Sequence, residues 1–450
     1  MSDYNVRQLA LDLLVRIGDQ GGYSHLLVDQ WLKRHRLEPR DAALLTEITY
    51  GTLQRKLTLA YDLQSFIQPK KKTDRWVQWL IYLTFYQMKY LNRVPDHAAI
   101  HQAVEIAKQK GHKGIANFVN GVLRSAQRKG FPDYQTITDD SKRISVSTSH
   151  PVWLVKRWIK QYGLKLTEAM CQTNLTHKPT SVRIQPMRTT RERMLDRLEA
   201  DGIQARLSSV SPQGMIIDQG NIRKHPAVAE GLVTIQGESS MLVAELMDIT
   251  EGMKILDACS APGGKTTHIA EKLCDHGIVI ANDLHEKKTK LVMQKAEQLG
   301  LTAIRTEAGD ARKLAETHAA ASFDRILIDA PCSGLGVLRS KPDIRYHRQE
   351  QDVTTLASIQ IEILEAVQPL LKKDGKLVYS TCTVDKEENE QVIEAFLVRY
   401  PNYQVDPTFF EELPQIVQQC AGKSKWGLQL FPQDLNSDGF FITRLVKNDV

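Results

Sequence analysis

From residue 255 onward the chain alternates short apolar runs with longer stretches of helical period, a pattern that fits a parallel, doubly wound sheet. Strands are predicted at 255–257, 278–283, 303–306, 325–329 and 376–380, helices at 266–274, 285–299, 353–372 and 386–399, and a late edge hairpin at 440–445. Ligands of such sheets sit beyond the carboxyl ends of the strands. Those ends carry, in order, Asp257, Asp283, Asp310 (just past its strand), Asp329 and Cys382.

The first strand runs into Lys-Ile-Leu-Asp-Ala-Cys-Ser-Ala-Pro-Gly-Gly-Lys-Thr-Thr, residues 254–267. Small side chains there let backbone N–H groups approach a ligand, and the helix start that follows favours anionic or electron-rich groups. A phosphate-binding Walker loop needs glycine at 259, where this chain has Cys259, and the dinucleotide G-x-G-x-x-G is absent, with only Gly263 and Gly264 paired. The cradle is therefore assigned to Cys259, Ser260, Ala261, Pro262, Gly263, Gly264 and Lys265.

Asp283 is placed to accept hydrogen bonds from a ribose, and Asp310, in Ala-Gly-Asp-Ala-Arg, to hold an adenine amino group. The ligand reads as an adenosine derivative. Two more motifs follow the fourth and fifth strands: Asp329-Ala330-Pro331-Cys332-Ser333-Gly334 and Ser380-Thr381-Cys382-Thr383. They bring two cysteines to one rim, flanked by small polar residues, whereas Cys171, Cys274 and Cys420 read as small buried hydrophobes. With no C-x-x-C, no zinc site is expected. A zinc deaminase is excluded because Leu335 stands where its second cysteine would be, and no H-x-E is present.

Charge is uneven along the chain. Residues 1–235 hold 35 Lys and Arg against 21 Asp and Glu, a net +14, and residues 236–450 hold 24 against 32, a net −8. A polyanion-binding front half follows. Residues 4–130 read as consecutive helices, the 76–91 helix central, broken at Gly21-Gly22, Pro39, Pro69 and Pro95. Lys70-Lys71-Lys72, Arg34, Arg36, Arg40, Asn117, Asn120 and Arg124 make a candidate phosphate-contacting face. Residues 131–150 read as a linker, and the pair Trp153 and Trp158 as packing. A small basic α/β unit follows, with strands near 182–184, 205 and 215–217 and a helix at 191–200. Three domains are drawn: 1–145, all-helical and RNA-binding; 146–235, small α/β; and 236–450, a Rossmann-like α/β domain. No apolar run reaches membrane-spanning length and no leader is evident, so a cytoplasmic protein, a monomer without membrane attachment, is expected.

The glycine loop and the two cysteine motifs resemble the RNA cytosine-5 methyltransferases of the NOL1/NOP2/Sun superfamily, and the helical front resembles NusB. That combination is similar to the bacterial enzymes acting on small-subunit ribosomal RNA. The resemblance implies S-adenosyl-L-methionine in the adenosine site and ribosomal RNA, or its precursor particle, as partner. It implies Cys382 as the nucleophile at carbon 6 of the base, and Cys332 as the residue that assists loss of the carbon 5 proton and release of Cys382. Asp329 is expected on the N3 and amino edge, and Lys265 either neutralises charge on the base or caps the loop; no metal is called for. Thiolate addition suits a carbon that is a poor nucleophile until its neighbour is attacked. The loop 334–348, with Arg339, Lys341, Arg345 and Arg348, reads as an RNA-backbone clamp. At 236–240, Gln-Gly-Glu-Ser-Ser replaces the relatives' Gln-Asp and leaves open which side chain there touches the methyl donor. Transfer RNA or another RNA as substrate, and a non-catalytic RNA-binding assembly factor, are the alternatives.

Overall fold

The computed structural model describes residues 5–20, 22, 24–68 and 73–448; Gly21, Pro69 and Lys70-Lys71-Lys72 lie outside the described residues. By contacts the chain forms two compact units, residues 1–176 with 338–348, and residues 177–337 with 349–450.

The first unit is helical: α1 (Val6–Gln20), α2 (Ser24–His35), α3 (Pro39–Gln54), α4 (Lys56–Gln64), α5 (Arg75–Tyr90), α6 (Asp96–Lys110), α7 (Lys113–Lys129), α8 (Asp140–Thr148), α9 (Val152–Tyr162) and α10 (Leu164–Thr173). Every residue of α5 from Trp79 to Gln87 is buried, which makes it the central helix that its all-round apolar pattern predicts. The stripe Leu9, Leu13, Leu14 and Ile17 of α1 packs in the same core as Leu45 and Ile48 of α3.

Residues 131–150 are not a linker. Asp139 accepts a hydrogen bond from the Lys142 amide and so caps α8, whose Ile144 and Val146 are buried. The aspartates that suggest a linker are helix caps, Asp133 and Asp139, and the hydroxyl of Ser145 donates to the His150 carbonyl. Trp158 is fully buried, as packing requires.

The stretch 338–348 packs within this unit and is not a surface clamp. Arg345 has no exposed surface and donates to the carbonyls of Ser149 at 3.2 Å and Leu338 at 3.1 Å. Arg339 is also buried and donates to Thr176 Oγ1 at 2.9 Å. Arginine is chosen there because its planar fork satisfies several carbonyls at once.

The second unit has two sheets. Strands β1 (Thr180–Ile184), β2 (Gln204–Leu207), β3 (Gly214–Gln219) and β4 (Val233–Ile235) form an antiparallel sheet of order β2-β3-β1-β4. The helix Arg191–Ala200 covers it through Met194 and Leu198.

The larger sheet contains β5 (Lys254–Asp257), β6 (Ile278–Asp283), β7 (Ile304–Ala308), β8 (Phe323–Asp329), β9 (Leu371–Thr381), β10 (Tyr403–Val405), β11 (Lys423–Ser424), β12 (Gly427–Leu430) and β13 (Phe440–Lys447). Its order is β11-β12-β13-β9-β8-β5-β6-β7, with β10 beside β13. Strands β5 to β9 are mutually parallel, and the chain reverses direction of travel between β5 and β8, the point where such sheets open a ligand crevice. The predicted edge hairpin is corrected: β13 is an interior strand, antiparallel to β9 and to β12. Its buried residues on both faces, Phe440 to Leu445, require that position.

Candidate active site

The loop after β5 is built on hydrogen bonds that its small side chains leave room for. Ser260 donates its amide to the Asn282 carbonyl at 2.8 Å, and Gly263 donates to the Ser260 carbonyl at 2.8 Å, closing the turn. Gly263 has φ of +95°, and a Cβ there would sit 3.1 Å from Val292 Cα, so both backbone and neighbour call for glycine. The helix Gly264–Lys272 starts at once, and its first N–H groups have no partner within the helix.

The acids cluster at this rim. Asp257 is fully buried and accepts from Thr266 Oγ1 at 2.7 Å; burial pushes its carboxyl up to about 7. Asp283 accepts the Ala261 amide at 3.3 Å and the His285 amide at 3.1 Å, which ties the loop to the end of β6. Asp310 accepts the Arg312 amide at 3.0 Å and pairs with its guanidinium at 2.6 Å, which holds its carboxyl below the usual range. Burial raises the Cys259 thiol well above its ordinary value, and the charges of Asp257, Asp329, Asp283 and Asp310 add to the shift.

Opposite the loop, Cys332 Sγ and Cys382 Sγ lie 3.3 Å apart, both half-buried. The hydrogen bond with Cys382 is the largest cause of a Cys332 thiol raised well above its ordinary value, burial the next. Asp329 accepts from Lys265 Nζ at 2.7 Å and from Ser380 Oγ at 2.9 Å, and the same Lys265 lies 5.1 Å over the Phe440 ring. Thus the ends of β5, β8 and β9 bring a cation, a carboxylate and two thiols to one rim, with the Phe440 ring of β13 beside the cation.

Several buried polar residues around the rim escape sequence reasoning. Glu388, in a run of charges at a helix start, is fully buried and accepts the Ser333 amide at 2.7 Å and the Ser333 hydroxyl at 2.5 Å. Arg183 on β1 is fully buried, forms a two-pronged pair with Glu271 at 2.7 and 2.9 Å, and donates to the Gly264 carbonyl at 3.0 Å. Gln236 bonds Arg183, and Glu238 bonds Ser208, so both side chains are spent within the protein. Cys274, which its sequence context reads as a buried hydrophobe, is exposed; its φ of 50° places it in the turn that ends the helix. Cys420 is half-buried and Cys171 is buried.

The family described as 16S rRNA methyltransferase RsmB/F matches residues 244–446, the NusB family 4–128, and the RsmF/B-like ferredoxin-like domain 150–222. The Probable ribosomal RNA small subunit methyltransferase B of Bacillus subtilis (strain 168) is 44% identical over 447 residues, covering 99% of this chain and 100% of the relative. That of Synechocystis is 33% identical over 446 residues, covering 98% and 99%. The crystal structure of PH0851 shares the fold, with a TM-score of 0.82 at 23% identity over 99% of each chain.

The cofactor is S-adenosylmethionine, and the cradle fits it. Among the described residues, Asp257 Oδ1, Ser260 Oγ and Asn282 Oδ1 are buried polar atoms with no partner, all on the cradle or the strand beside it. Cys259 to Lys265, with Asp283, Asp310 and Asp329, are the residues that would hold it. Matched over its whole length, the chain belongs to the RsmB/F family of ribosomal RNA small subunit methyltransferases.

Proposed function

We propose that the chain methylates carbon 5 of a cytosine in small-subunit ribosomal RNA, through a covalent bond between Cys382 and carbon 6 of the base. The observation that carries this reading is the pair of thiols 3.3 Å apart beside Asp329 and Lys265. The ribosomal substrate is supported by what the relatives' names say of those proteins. A cytoplasmic monomer acting on the RNA or a precursor particle belongs to the same reading; among the described residues, no helix is long and apolar enough to cross a membrane.

Carbon 5 becomes nucleophilic only when a nucleophile adds at carbon 6. Cys382, as thiolate, forms the C6–S bond, and the electrons of the ring double bond pass toward carbon 5 and the N3 edge. Asp329, held by Lys265 and Ser380, binds that edge. S-adenosylmethionine, when bound, supplies the methyl group that carbon 5 takes. Once Cys382 is a thioether, its sulfur is a weaker acceptor for the Cys332 thiol than a thiolate is. Cys332 can then shed its own proton to solvent and, as thiolate, take the proton from carbon 5. The C5–H electrons restore the ring double bond and expel Cys382. The target base must leave its stack to reach the rim.

The test is methyl incorporation into a small-subunit ribosomal RNA transcript, with bisulfite mapping of the product. Cys382→Ala is expected to abolish methylation, and Cys332→Ala to leave RNA trapped on the protein on a denaturing gel. A Cys382→Ala protein that still methylates cytosine would sink the mechanism.

A further inference from the structure

Helix α7 carries an exposed face that nothing among the described residues explains. Its buried side is Ala116, Val119, Val122, Leu123 and Ala126. On the opposite side Lys113, Asn117, Asn120, Gly121, Arg124 and Arg128 are all exposed, at helical spacing within one stripe. From Ala107 to Pro132 the chain has six Lys and Arg and no Asp or Glu. Arg124 is steadied by Gln127 at 3.0 Å, which leaves the guanidinium on the helix surface.

Two choices on this helix work against its own stability. Lys113 stands at the N-terminal end, where the helix dipole disfavours a cation, with no acid in the first turn. Gly121 stands mid-helix, where glycine is among the poorest helix formers. Elsewhere in the unit a mid-helix glycine has a packing reason: a Cβ on Gly51 would fall 1.9 Å from the Tyr86 ring. At Gly121 a Cβ would meet nothing within 4 Å. Residues that break a local rule without an internal reason point outward, to a partner.

We propose that this face of α7 docks an RNA sugar–phosphate backbone, with Gly121 as the point of closest approach. Lys113, Arg124 and Arg128 supply charge complementary to phosphate, and the amides of Asn117 and Asn120 donate hydrogen bonds that fix register. The missing side chain at Gly121 lets a backbone lie against the helix between them. The proposal rests on the reading that the chain acts on ribosomal RNA.

The experiment uses the full chain and an in vitro transcript of small-subunit ribosomal RNA, with Kd measured by filter binding across a salt series. The double variant Arg124→Ala/Arg128→Ala is expected to weaken binding about tenfold or more near physiological salt and to lower the salt slope by about 1.4 to 1.8. Gly121→Ala separates docking from folding: it should keep or raise Tm, because alanine favours the helix, and still weaken binding. The proposal is overturned if either protein keeps the wild-type Kd and slope, the result expected if the face serves a protein partner. Methylation of the same transcript by the wild type is measured alongside. Its absence counts against the methyltransferase reading, whereas intact methylation with unchanged variant binding counts against this surface alone.

Discussion

Ser333 and Thr383, the residues that follow the two rim cysteines, meet hydroxyl to hydroxyl at 3.0 Å, and Glu388 lies behind them, bonded to the Ser333 amide and hydroxyl. Gln360 joins this hub by donating to the Pro331 carbonyl at 2.9 Å and to Glu388 at 3.2 Å. A buried polar network thus holds the residues that follow the two cysteines, whose sulfurs lie 3.3 Å apart.

Burial raises the Glu388 carboxyl from 4.5 to about 7, against the pull of its Ser333 donors. Between those values the folded chain holds a proton that the unfolded chain releases. The contribution to stability is complete below about 4.5 and is lost as pH rises through about 7. Glu388→Gln is expected to flatten the fall of Tm with pH over this window. Asp257, raised from 3.8 to about 7, leaves some slope in place. Because the amide offers one acceptor where the carboxylate has two, methyl transfer should also slow by about tenfold, the equivalent of roughly 1.4 kcal/mol of positioning. Unchanged Tm curves and rates would reject the role.

Arg183 and Glu271 make the second connection, between the smaller sheet and the helix that starts at Gly264. Both side chains are essentially unexposed. Arg183 also reaches the Gly264 carbonyl and Thr267 Oγ1, so it grips the first turn of that helix. Arg183→Met leaves Glu271 buried with Gln213 as its remaining donor in this network, at a cost of about 3–5 kcal/mol. Arg183→Met/Glu271→Gln should recover part of that loss. If the grip positions the loop, Arg183→Lys raises KM for S-adenosylmethionine more than it lowers kcat. Equal stability of Arg183→Met and wild type by denaturant titration would refute the ion pair's weight.

The catalytic sheet was legible because a parallel strand buried on both faces leaves an apolar run with a polar end, and Asp257, Asp283 and Asp329 mark such ends. Arg183 and Glu388 were not. Each is a charged residue whose partner lies 88 or 55 positions away, and nothing local distinguishes it from a solvated charge. Tertiary pairing alone reveals them. The loop 334–348 misled in the same way: a basic run on a connection between sheet and helix resembles an RNA clamp until Arg339 and Arg345 are seen to be buried. The linker at 131–150 failed for a different reason, since the same Ser and Asp residues favour loops and helix caps alike.

Arg345 allows the corrected reading to be tested. Its guanidinium is fully buried, and it donates to two backbone carbonyls; Tyr346 beside it bonds Ser149 Oγ at 2.9 Å. Removing the guanidinium by Arg345→Met leaves the Leu338 carbonyl without this donor, a cost of about 1–3 kcal/mol where no water enters, while the Ser149 carbonyl keeps the Tyr346 hydroxyl at 3.3 Å. Tm should fall, while the salt dependence of RNA binding by the remaining folded protein stays that of the wild type, because a buried guanidinium releases no counterions from phosphate. Lys341→Ala, on an exposed side chain of the same stretch, is the matched control and should leave Tm unchanged. A reduced salt slope for Arg345→Met at unchanged Tm would restore the clamp and remove the structural role.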